Sequence, residues 1–319
     1  MSGLMTGLAQ AAGLGSLISL KKSPRMPVLF LGHGSPMNAI EDNEYRQSWQ
    51  KLGAQFGSGP GRQFAAGPPQ GKLAPSGGSA AHEVASVGAI YPKPQLILCI
   101  SAHWLTKGWQ FTAMAKPKTI HDFGGFPQEL FAQQYPAPGA PEATAEISRL
   151  VMQPGSVKPI GLDQEWGFDH GTWSVLKPMF PAADIPVVQL SMDYGRPASE
   201  HFALGQQLRA LRDQGVLIVG SGNVVHNLRA ARFGVPSNQA YDWALEFDKT
   251  VAGQVTSGNL KDLADFQKLG ALATQAHPSY DHYLPLLYAA GAVHAGEAVR
   301  SFNTNYQAAS IAMRSFIWG

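Results

Sequence analysis

The stretch Val28-Leu29-Phe30-Leu31-Gly32-His33-Gly34-Ser35-Pro36 places an apolar run directly before a histidine that stands between two glycines. Four apolar residues in a row have the length typical of a buried strand. The flanking glycines allow the backbone to turn tightly where the strand ends. The pattern predicts a strand whose end carries the His33 imidazole at a sheet edge. There the imidazole either binds a ligand or merely caps local backbone groups.

Similar apolar runs recur along the chain and alternate with segments of helical periodicity. Strands are predicted over residues 95–100, 109–115, 185–190, 216–219, 299–302 and 310–317. Helices are predicted over residues 41–56, 141–152, 199–214, 241–255 and 259–269. Strands that alternate with helices in this way indicate a single α/β domain around a central sheet.

Three of the ten histidines follow such strand runs. They are His33, His103 and His226. Because ligands of open α/β sheets bind outside the carboxyl ends of the strands, we expect these three side chains to converge. His282 precedes an apolar segment and is expected at the same crevice. Imidazole binds zinc, iron, copper and nickel, so the spacing predicts a divalent-metal site. The alternative is that backbone or solvent satisfies each histidine separately.

Two more histidines lie in glycine-containing loops, each beside an aspartate. His121 precedes Asp122, and His170 follows Asp169. Because a neighbouring carboxylate orients an imidazole ring, either histidine is a candidate acid/base or substrate-holding group. The alternative is a structural turn. The histidines predicted to lie on the surface or behind the site are His201, His277 and His294.

The composition excludes several classes of function. The net charge is +2 and only 14% of the 319 residues are charged. Since no basic cluster exceeds the one from Lys21 to Arg25, neither nucleic acid nor a membrane surface is an expected partner. The single cysteine, Cys99, excludes a disulfide framework and a cysteine zinc site. Its apolar surroundings predict a buried thiol, and a reducing cytoplasmic location is expected.

Two segments differ from the rest of the chain. In residues 1–26, small apolar residues precede the positive charge, which is the reverse of a secretory signal. These residues are predicted to be an extension ahead of one catalytic domain over residues 27–319. No stretch is apolar enough to span a bilayer. Residues 54–90 are rich in Gly, Pro, Ser and Ala, which predicts a flexible insertion.

Six motifs connect the candidate histidines. They are Gly32-His-Gly-Ser-Pro36, Ser101-Ala-His-Trp104, His121-Asp-Phe-Gly-Gly-Phe-Pro127, Trp166-Gly-Phe-Asp-His-Gly171, Ser221-Gly-Asn-Val-Val-His-Asn227 and His282-Tyr-Leu-Pro285. In content and order they resemble the 4,5-DOPA extradiol dioxygenase-like family, which belongs to the class III, LigB-type extradiol ring-cleaving dioxygenases. The resemblance extends from about Met26 to the C-terminus. The insertion at 54–90 departs from that pattern.

The resemblance implies a LigB-like α/β domain whose central sheet is mainly parallel or mixed and is flanked by helices. It implies one divalent metal ion per chain at His33, His103 and His282, with Fe(II) in active members and Zn(II) in some purified relatives. His226 would complete the coordination or act as an acid/base, assisted by His170 or His121. In the wider class a glutamate usually completes the ligand set, whereas here His282 takes that position.

The implied reaction is cleavage of a catechol such as DOPA by O₂, next to rather than between the hydroxyls. The enzyme is expected to be a monomer or a small homo-oligomer. Two other functions fit the same residues. A zinc hydrolase would use metal-bound hydroxide at the histidine site. A non-catalytic binding protein on the same fold would keep only part of the metal site, so the six complete motifs favour an enzyme.

Overall fold

The computed structural model describes residue 17, residues 19–57 and residues 90–319. Most of the predicted insertion at 54–90 and most of the predicted extension at 1–26 therefore lie outside the described residues. Within the extension, Leu17 and Leu20 are buried against the core. At the two ends of the insertion, Phe56–Gly57 pairs in parallel with Tyr91–Pro92.

The main sheet contains eight strands within the described part of the chain. The strands of the described residues are β1 (Val28–Gly32), β2 (Phe56–Gly57), β3 (Tyr91–Pro92), β4 (Leu96–Leu105), β5 (Gln110–Thr112), β6 (Lys118–Thr119), β7 (Gly161–Asp163), β8 (Gly167–Phe168), β9 (Val187–Met192), β10 (Val216–Gly222), β11 (Val299–Phe302), β12 (Tyr306–Gln307), β13 (Ile311–Ala312) and β14 (Ser315–Trp318). Their order in the main sheet is β11-β14-β1-β10-β4-β9-β5-β7. The central strands β1, β10, β4 and β9 are parallel, and antiparallel neighbours flank them. The expectation of a mainly parallel or mixed sheet is confirmed.

Helices cover both faces of the sheet. They are α1 (Glu44–Gly53), α2 (Gln128–Phe131), α3 (Pro141–Leu150), α4 (His170–Met179), α5 (Ala198–Leu208), α6 (Asp242–Ser257), α7 (Ala271–Ala276) and α8 (Leu284–Gly291). Because side chains alternate along a strand, Val28 and Phe30 pack on the face with α5, α6 and α8. Leu29 and Leu31 pack on the opposite face with α1 and α4. Of the described helices, none has both the length and the apolarity needed to cross a membrane.

Some predicted elements differ from the observed ones. The predicted strand over 310–317 is two strands, because β13 pairs with β12 whereas β14 pairs with β1 and β11. The chain thus changes sheets at Met313, whose backbone N–H donates to the carbonyl of Asn305. The segment 259–269, predicted to be helical, forms the 3₁₀ helix Leu260–Leu269. Strand β4 continues beyond residue 100 and includes His103.

Helices α5 and α8 pack through glycines at their closest approach. A Cβ atom on Gly205 would lie 2.4 Å from the carbonyl oxygen of Tyr288, and one on Gly291 would lie 2.3 Å from that of Phe202. Both neighbours are backbone atoms, which a rotamer change cannot move aside. Gly253 in α6 is also inside a helix, but its Cβ position has no heavy atom within 4 Å.

We expect Gly205→Ala to lower the free energy of unfolding by about 1–3 kcal/mol, because the added methyl group must push two helix backbones apart. The matched control Gly253→Ala should raise it by about 0.5–1 kcal/mol, because alanine restricts the unfolded chain and meets no neighbour. Urea denaturation of both variants measures the difference. Equal stability of the two variants would contradict the tight α5–α8 contact.

Candidate metal centre and active site

The carboxyl ends of three adjacent parallel strands bring three histidines together. His33 follows β1, His226 lies beyond the end of β10, and His103 is near the end of β4. The fourth, His282, comes from the segment before α8, and its carbonyl accepts a hydrogen bond of 2.8 Å from Asn223 N. A Cβ on Gly222 would lie 2.2 Å from that carbonyl oxygen. Only glycine therefore lets the His282 segment approach β10 so closely.

His33, His103 and His282 form a compact group of ring nitrogens. One nitrogen from each ring lies within 4.8 Å of the other two. The Nε2 atoms of His33 and His103 are 3.3 Å apart, and the His282 ring centroid lies 5.1 Å from that of His33 and 4.9 Å from that of His103. His33 and His282 are only 1% and 5% exposed.

Hydrogen bonds on the far side of two rings fix their tautomers. His33 Nδ1 lies 3.0 Å from Ser221 Oγ, whose hydroxyl donates to the carbonyl of Gly171 at 2.5 Å. Since that hydroxyl proton is used, Nδ1 of His33 must be the donor and Nε2 keeps its lone pair. His282 Nδ1 donates to Asp281 Oδ2 at 2.5 Å. Nε2 of His282 likewise keeps its lone pair, as a metal-binding imidazole requires.

Burial keeps the clustered imidazoles neutral. It lowers the pKa of His33 and of His282 well below the usual histidine range, and mutual repulsion among the rings adds to the effect. Burial, with the charge of His170 next, lowers the pKa of His103 to about 3. Neutral imidazole is the form that binds a metal ion. Three neutral nitrogen donors that face one another therefore fit a divalent metal such as zinc or iron.

Asp122 joins the third ligand candidate to a further histidine. Its Oδ2 lies 3.4 Å from His103 Nδ1 and 3.0 Å from His170 Nδ1, while its Oδ1 accepts from the His170 backbone N–H at 2.8 Å. Burial would raise the pKa of Asp122, but hydrogen bonding and charge from His170 outweigh it and lower the pKa. His170 Nδ1 has no well-aligned hydrogen-bond partner, so its contact with the carboxylate is mainly electrostatic.

The sequence suggested that Asp169 orients the ring of its neighbour His170. The structure shows that it does not. Its carboxylate is turned away from the cavity, where it accepts from Ser101 Oγ at 2.6 Å and from Gln189 Nε2. It also caps α4 by accepting from the Thr172 N–H at 3.1 Å. Burial raises the pKa of Asp169. Adjacent residues at a helix start point in different directions, which explains why Asp122 from another loop contacts His170 instead.

The other two histidines of the predicted site lie in different places. The His226 ring is stacked on the His282 ring, with centroids 3.4 Å apart and planes 4° from parallel, and it lines the cavity. Burial lowers the pKa of His226 to about 4. His121 Nε2 instead donates to the carbonyl of Gln133 at 2.9 Å, and its ring packs edge-on against Phe123. His121 is not among the residues that line the cavity.

A cavity of about 620 Å³ opens above the clustered histidines. Its aromatic and aliphatic walls include Phe123 and Phe126, which follow His121 in sequence. Several other lining residues were not predicted from the sequence, because no motif spacing connects them with a histidine. These are Tyr45, Leu228, Phe233, Tyr306 and Gln307. Phe233 is 83% exposed although it lines the cavity, a signal that only the structure provides.

The fold and the site together define an α/β protein with a candidate metal centre, three converging histidines beneath a cavity of the size and lining that suit a small aromatic molecule. Comparison with known proteins gives the family. The model of the catalytic LigB subunit of aromatic ring-opening dioxygenase matches residues 27–314. The chain belongs to this family and is an extradiol ring-cleaving dioxygenase, which acts on a small molecule together with O₂.

Several relatives are similar over most of their length. The chain is 44% identical over 280 residues to the 4,5-DOPA dioxygenase extradiol of Escherichia coli (strain K12), covering 86% of this chain and 87% of the relative. It is 34% identical over 274 residues to the protein of the same name from Beta vulgaris, covering 84% and 86%. The crystal structure of an uncharacterized protein from Escherichia coli K12 matches with a TM-score of 0.69 and 37% identity, covering 92% of this chain and 100% of that one.

We expect His33→Ala to lower the affinity for Zn(II) or Fe(II) by more than about a hundredfold, because one of three converging nitrogen donors is lost. His121→Ala is the matched control and should keep the wild-type metal content, because His121 points away from the group. Elemental analysis after dialysis measures both. Full metal content in the His33 variant would contradict the proposed ligand set.

Two histidines predicted for the surface or the rear of the site are fully buried. His201 Nδ1 lies 2.7 Å from the hydroxyl of Tyr288, which accepts from Trp109 Nε1 at 2.6 Å and therefore donates to His201. His277 Nε2 donates to the carbonyl of Val224 at 2.7 Å. A surface position is thus wrong for both residues. Burial lowers the pKa of each to about 4.

The His201 pKa predicts a pH effect on stability. In the unfolded chain His201 binds a proton below about pH 6.5, whereas the folded protein resists protonation until about pH 4. The contribution of neutral His201 to the free energy of unfolding is therefore present above pH 6.5 and is lost as pH falls towards 4. We expect His201→Gln to reduce this loss by up to about 1.4 kcal/mol per pH unit. Urea denaturation of both metal-free proteins at several pH values measures the slopes, and parallel slopes would contradict the assignment.

Proposed function

We propose that this protein catalyses metal-dependent extradiol cleavage of a catechol such as DOPA, at the 4,5 bond. The observation that carries the proposal is the group of three neutral imidazoles, His33 and His282 buried and His103 partly buried, at the floor of an aromatic-walled cavity. Relatives named 4,5-DOPA dioxygenase extradiol, 44% and 34% identical, support the substrate.

His33, His103 and His282 would hold the metal, which we propose to be Fe(II) in the active enzyme. When bound, the metal would supply Lewis acidity to the catechol and a route for electrons to O₂. Zn(II) suits the same three imidazoles, so it competes for the site. The three neutral ligands add no negative charge, which favours binding of an ionised catechol.

The stacking of His226 on His282 supports a role in proton transfer rather than metal binding. The lone pairs of an imidazole lie in the plane of its ring, so two parallel rings direct them side by side. Lone pairs that run parallel do not meet at one metal ion. His226 therefore faces the cavity as a neutral base, able to take a phenolic proton.

His170 is the second candidate for proton transfer. Because Asp122 Oδ2 faces Nδ1 of His170, the Nε2 atom is the one left to accept a proton from a bound catechol. The His170 ring centroid lies 3.8 Å from that of His103, which places this base next to the proposed metal ligands. The Phe123 ring lies edge-on to the His170 ring, with the centroids 5.6 Å apart, and both rings line the cavity.

The reaction is tested by loading the metal-free protein with Fe(II) under anaerobic conditions and then adding DOPA and air. We expect O₂ uptake together with a yellow semialdehyde product. Bound iron without O₂ uptake on DOPA, caffeate, protocatechuate or catechol would contradict the proposal. Ester or amide hydrolysis by the zinc form, with no gain from iron, would instead indicate a zinc hydrolase at the same histidines.

The roles of two histidines are separable by mutation. We expect His226→Ala to keep its iron while kcat falls by about 10²–10⁴, because a proton-transfer group is lost but the ligands remain. His33→Ala should lose both iron and turnover. Iron content and O₂ uptake measured on the same samples distinguish the two effects. Loss of iron from the His226 variant would make His226 a ligand instead.

We further propose that the enzyme works in the cytoplasm as a monomer or small homo-oligomer. The buried thiol of Cys99 supports a reducing compartment, because the chain needs no disulfide. Light scattering coupled to size-exclusion chromatography gives the oligomeric state directly.

A further inference from the structure

The walls of the cavity carry an unusual distribution of charge. Among its described lining residues, Asp122 is the only carboxylate, and none is a lysine or an arginine. A second carboxylate, Asp281, lies directly behind the ring of His282. Proteins that bind a carboxylate ligand normally present an arginine or lysine to it. The described part of this cavity presents uncharged amides, hydroxyls and apolar groups instead.

Three of the arginines on the segments that form the wall are turned towards other partners, and a fourth, Arg229, is exposed and is not a lining residue. Arg46, on α1, donates to the carbonyl of Ile40 and lines a separate cavity. The guanidinium of Arg232 lies over the ring of Tyr241, 5.4 Å from its centroid. Arg314 is held by Asp248 through two hydrogen bonds of 2.6 and 2.7 Å. None of these arginines is a lining residue of the site.

A carboxylate attached directly to the substrate ring would therefore meet no cationic side chain on the described wall of the cavity. Removing an ion from water costs several kcal/mol unless a partner of opposite charge replaces the hydration. The nearest charge on the wall, Asp122, is of the same sign and adds repulsion. An uncharged substituent of the same shape meets neither penalty.

From this distribution we propose that the site selects catechols with an uncharged ring substituent and discriminates against a carboxylate bonded to the ring. The inference rests on the proposed catechol cleavage and specifies its substrate class. DOPA is compatible with it, because its carboxylate is separated from the ring by two carbons and stands beside its own ammonium group. At the cavity mouth, Leu228 and Phe233 are 61% and 83% exposed, so charges there stay hydrated.

The test compares two catechols of nearly the same shape, protocatechuate and 3,4-dihydroxybenzamide. We expect kcat/KM of the iron enzyme to be at least about tenfold higher for the amide, which corresponds to about 1.4 kcal/mol. Dissociation constants on the zinc-loaded protein, measured by calorimetry, should follow the same order. Equal or tighter binding of protocatechuate would overturn the inference.

The binding measurement separates this inference from the proposed function. If the zinc-loaded protein prefers the amide but the iron form cleaves neither compound nor catechol itself, the proposed reaction fails and the charge selection stands. If the iron form cleaves catechols but binding and turnover favour protocatechuate, the reaction stands and the charge selection fails.

Variants of the cavity wall test whether the missing positive charge, rather than the different electronic properties of the two substrates, causes the preference. Val235 is a half-buried lining residue on the loop after β10, with no part in the metal group. We expect Val235→Lys to shift the preference towards protocatechuate by about tenfold, because it supplies the missing cation. Val235→Met, of similar length but uncharged, should leave the preference unchanged. Ser237→Lys is an independent second variant on the same wall, and no shift in either lysine variant would overturn the inference.

Discussion

Three uncharged imidazoles, two buried and one partly buried, lie within a few ångströms of one another, and the site depends on this constraint. Burial makes a charged ring costly, so the group is stable only while each ring stays neutral. Neutrality leaves one nitrogen lone pair on each ring, and a polar group behind each ring determines which nitrogen keeps it. Ser221 does this for His33, Asp281 for His282 and Asp122 for His103. The orientation of the candidate ligands thus depends on Ser221 and Asp281, which do not line the cavity, and on Asp122, which does.

The position of the His33 turn also depends on the C-terminal segment of the chain. Gln307, which lies 272 residues beyond Ser35 in the sequence, accepts from the Ser35 N–H at 2.8 Å and donates to Asn38 Oδ1 at 2.9 Å. Asn38 in turn donates to the His33 carbonyl at 3.0 Å. Gly34 has a φ of 56°, and a Cβ there would lie 2.2 Å from Gln307 Oε1. Glycine is required at this position because the C-terminal segment closes tightly over the His33 turn.

Sequence periodicity predicted the central strands and the convergence of His33, His103 and His226 at their carboxyl ends, because both follow from local pattern and the geometry of parallel sheets. It did not predict that β13 and β14 join different sheets, since that choice depends on tertiary partners. Nor did it predict the contact between Asp122 and His170, which joins two loops far apart in sequence. Adjacency in sequence suggested that Asp169 would contact the His170 ring. Asp169 instead caps the start of α4, and its carboxylate points away from that ring.

The location of negative charge distinguishes this site from one with two histidines and a carboxylate as ligands. Here Asp122 and Asp281 contact the Nδ1 atoms of His103 and His282, so each carboxylate is one imidazole away from the proposed metal position. The ligands themselves remain neutral, which leaves the full charge of a divalent ion available to bind an ionised catechol. The two carboxylates would stabilise that positive charge from outside the ligand set. Because Asp122 and Asp281 already supply negative charge around the cavity floor, a further anion on the substrate ring is poorly accommodated. The same two carboxylates thus account for the orientation of the candidate ligands and for the proposed selectivity.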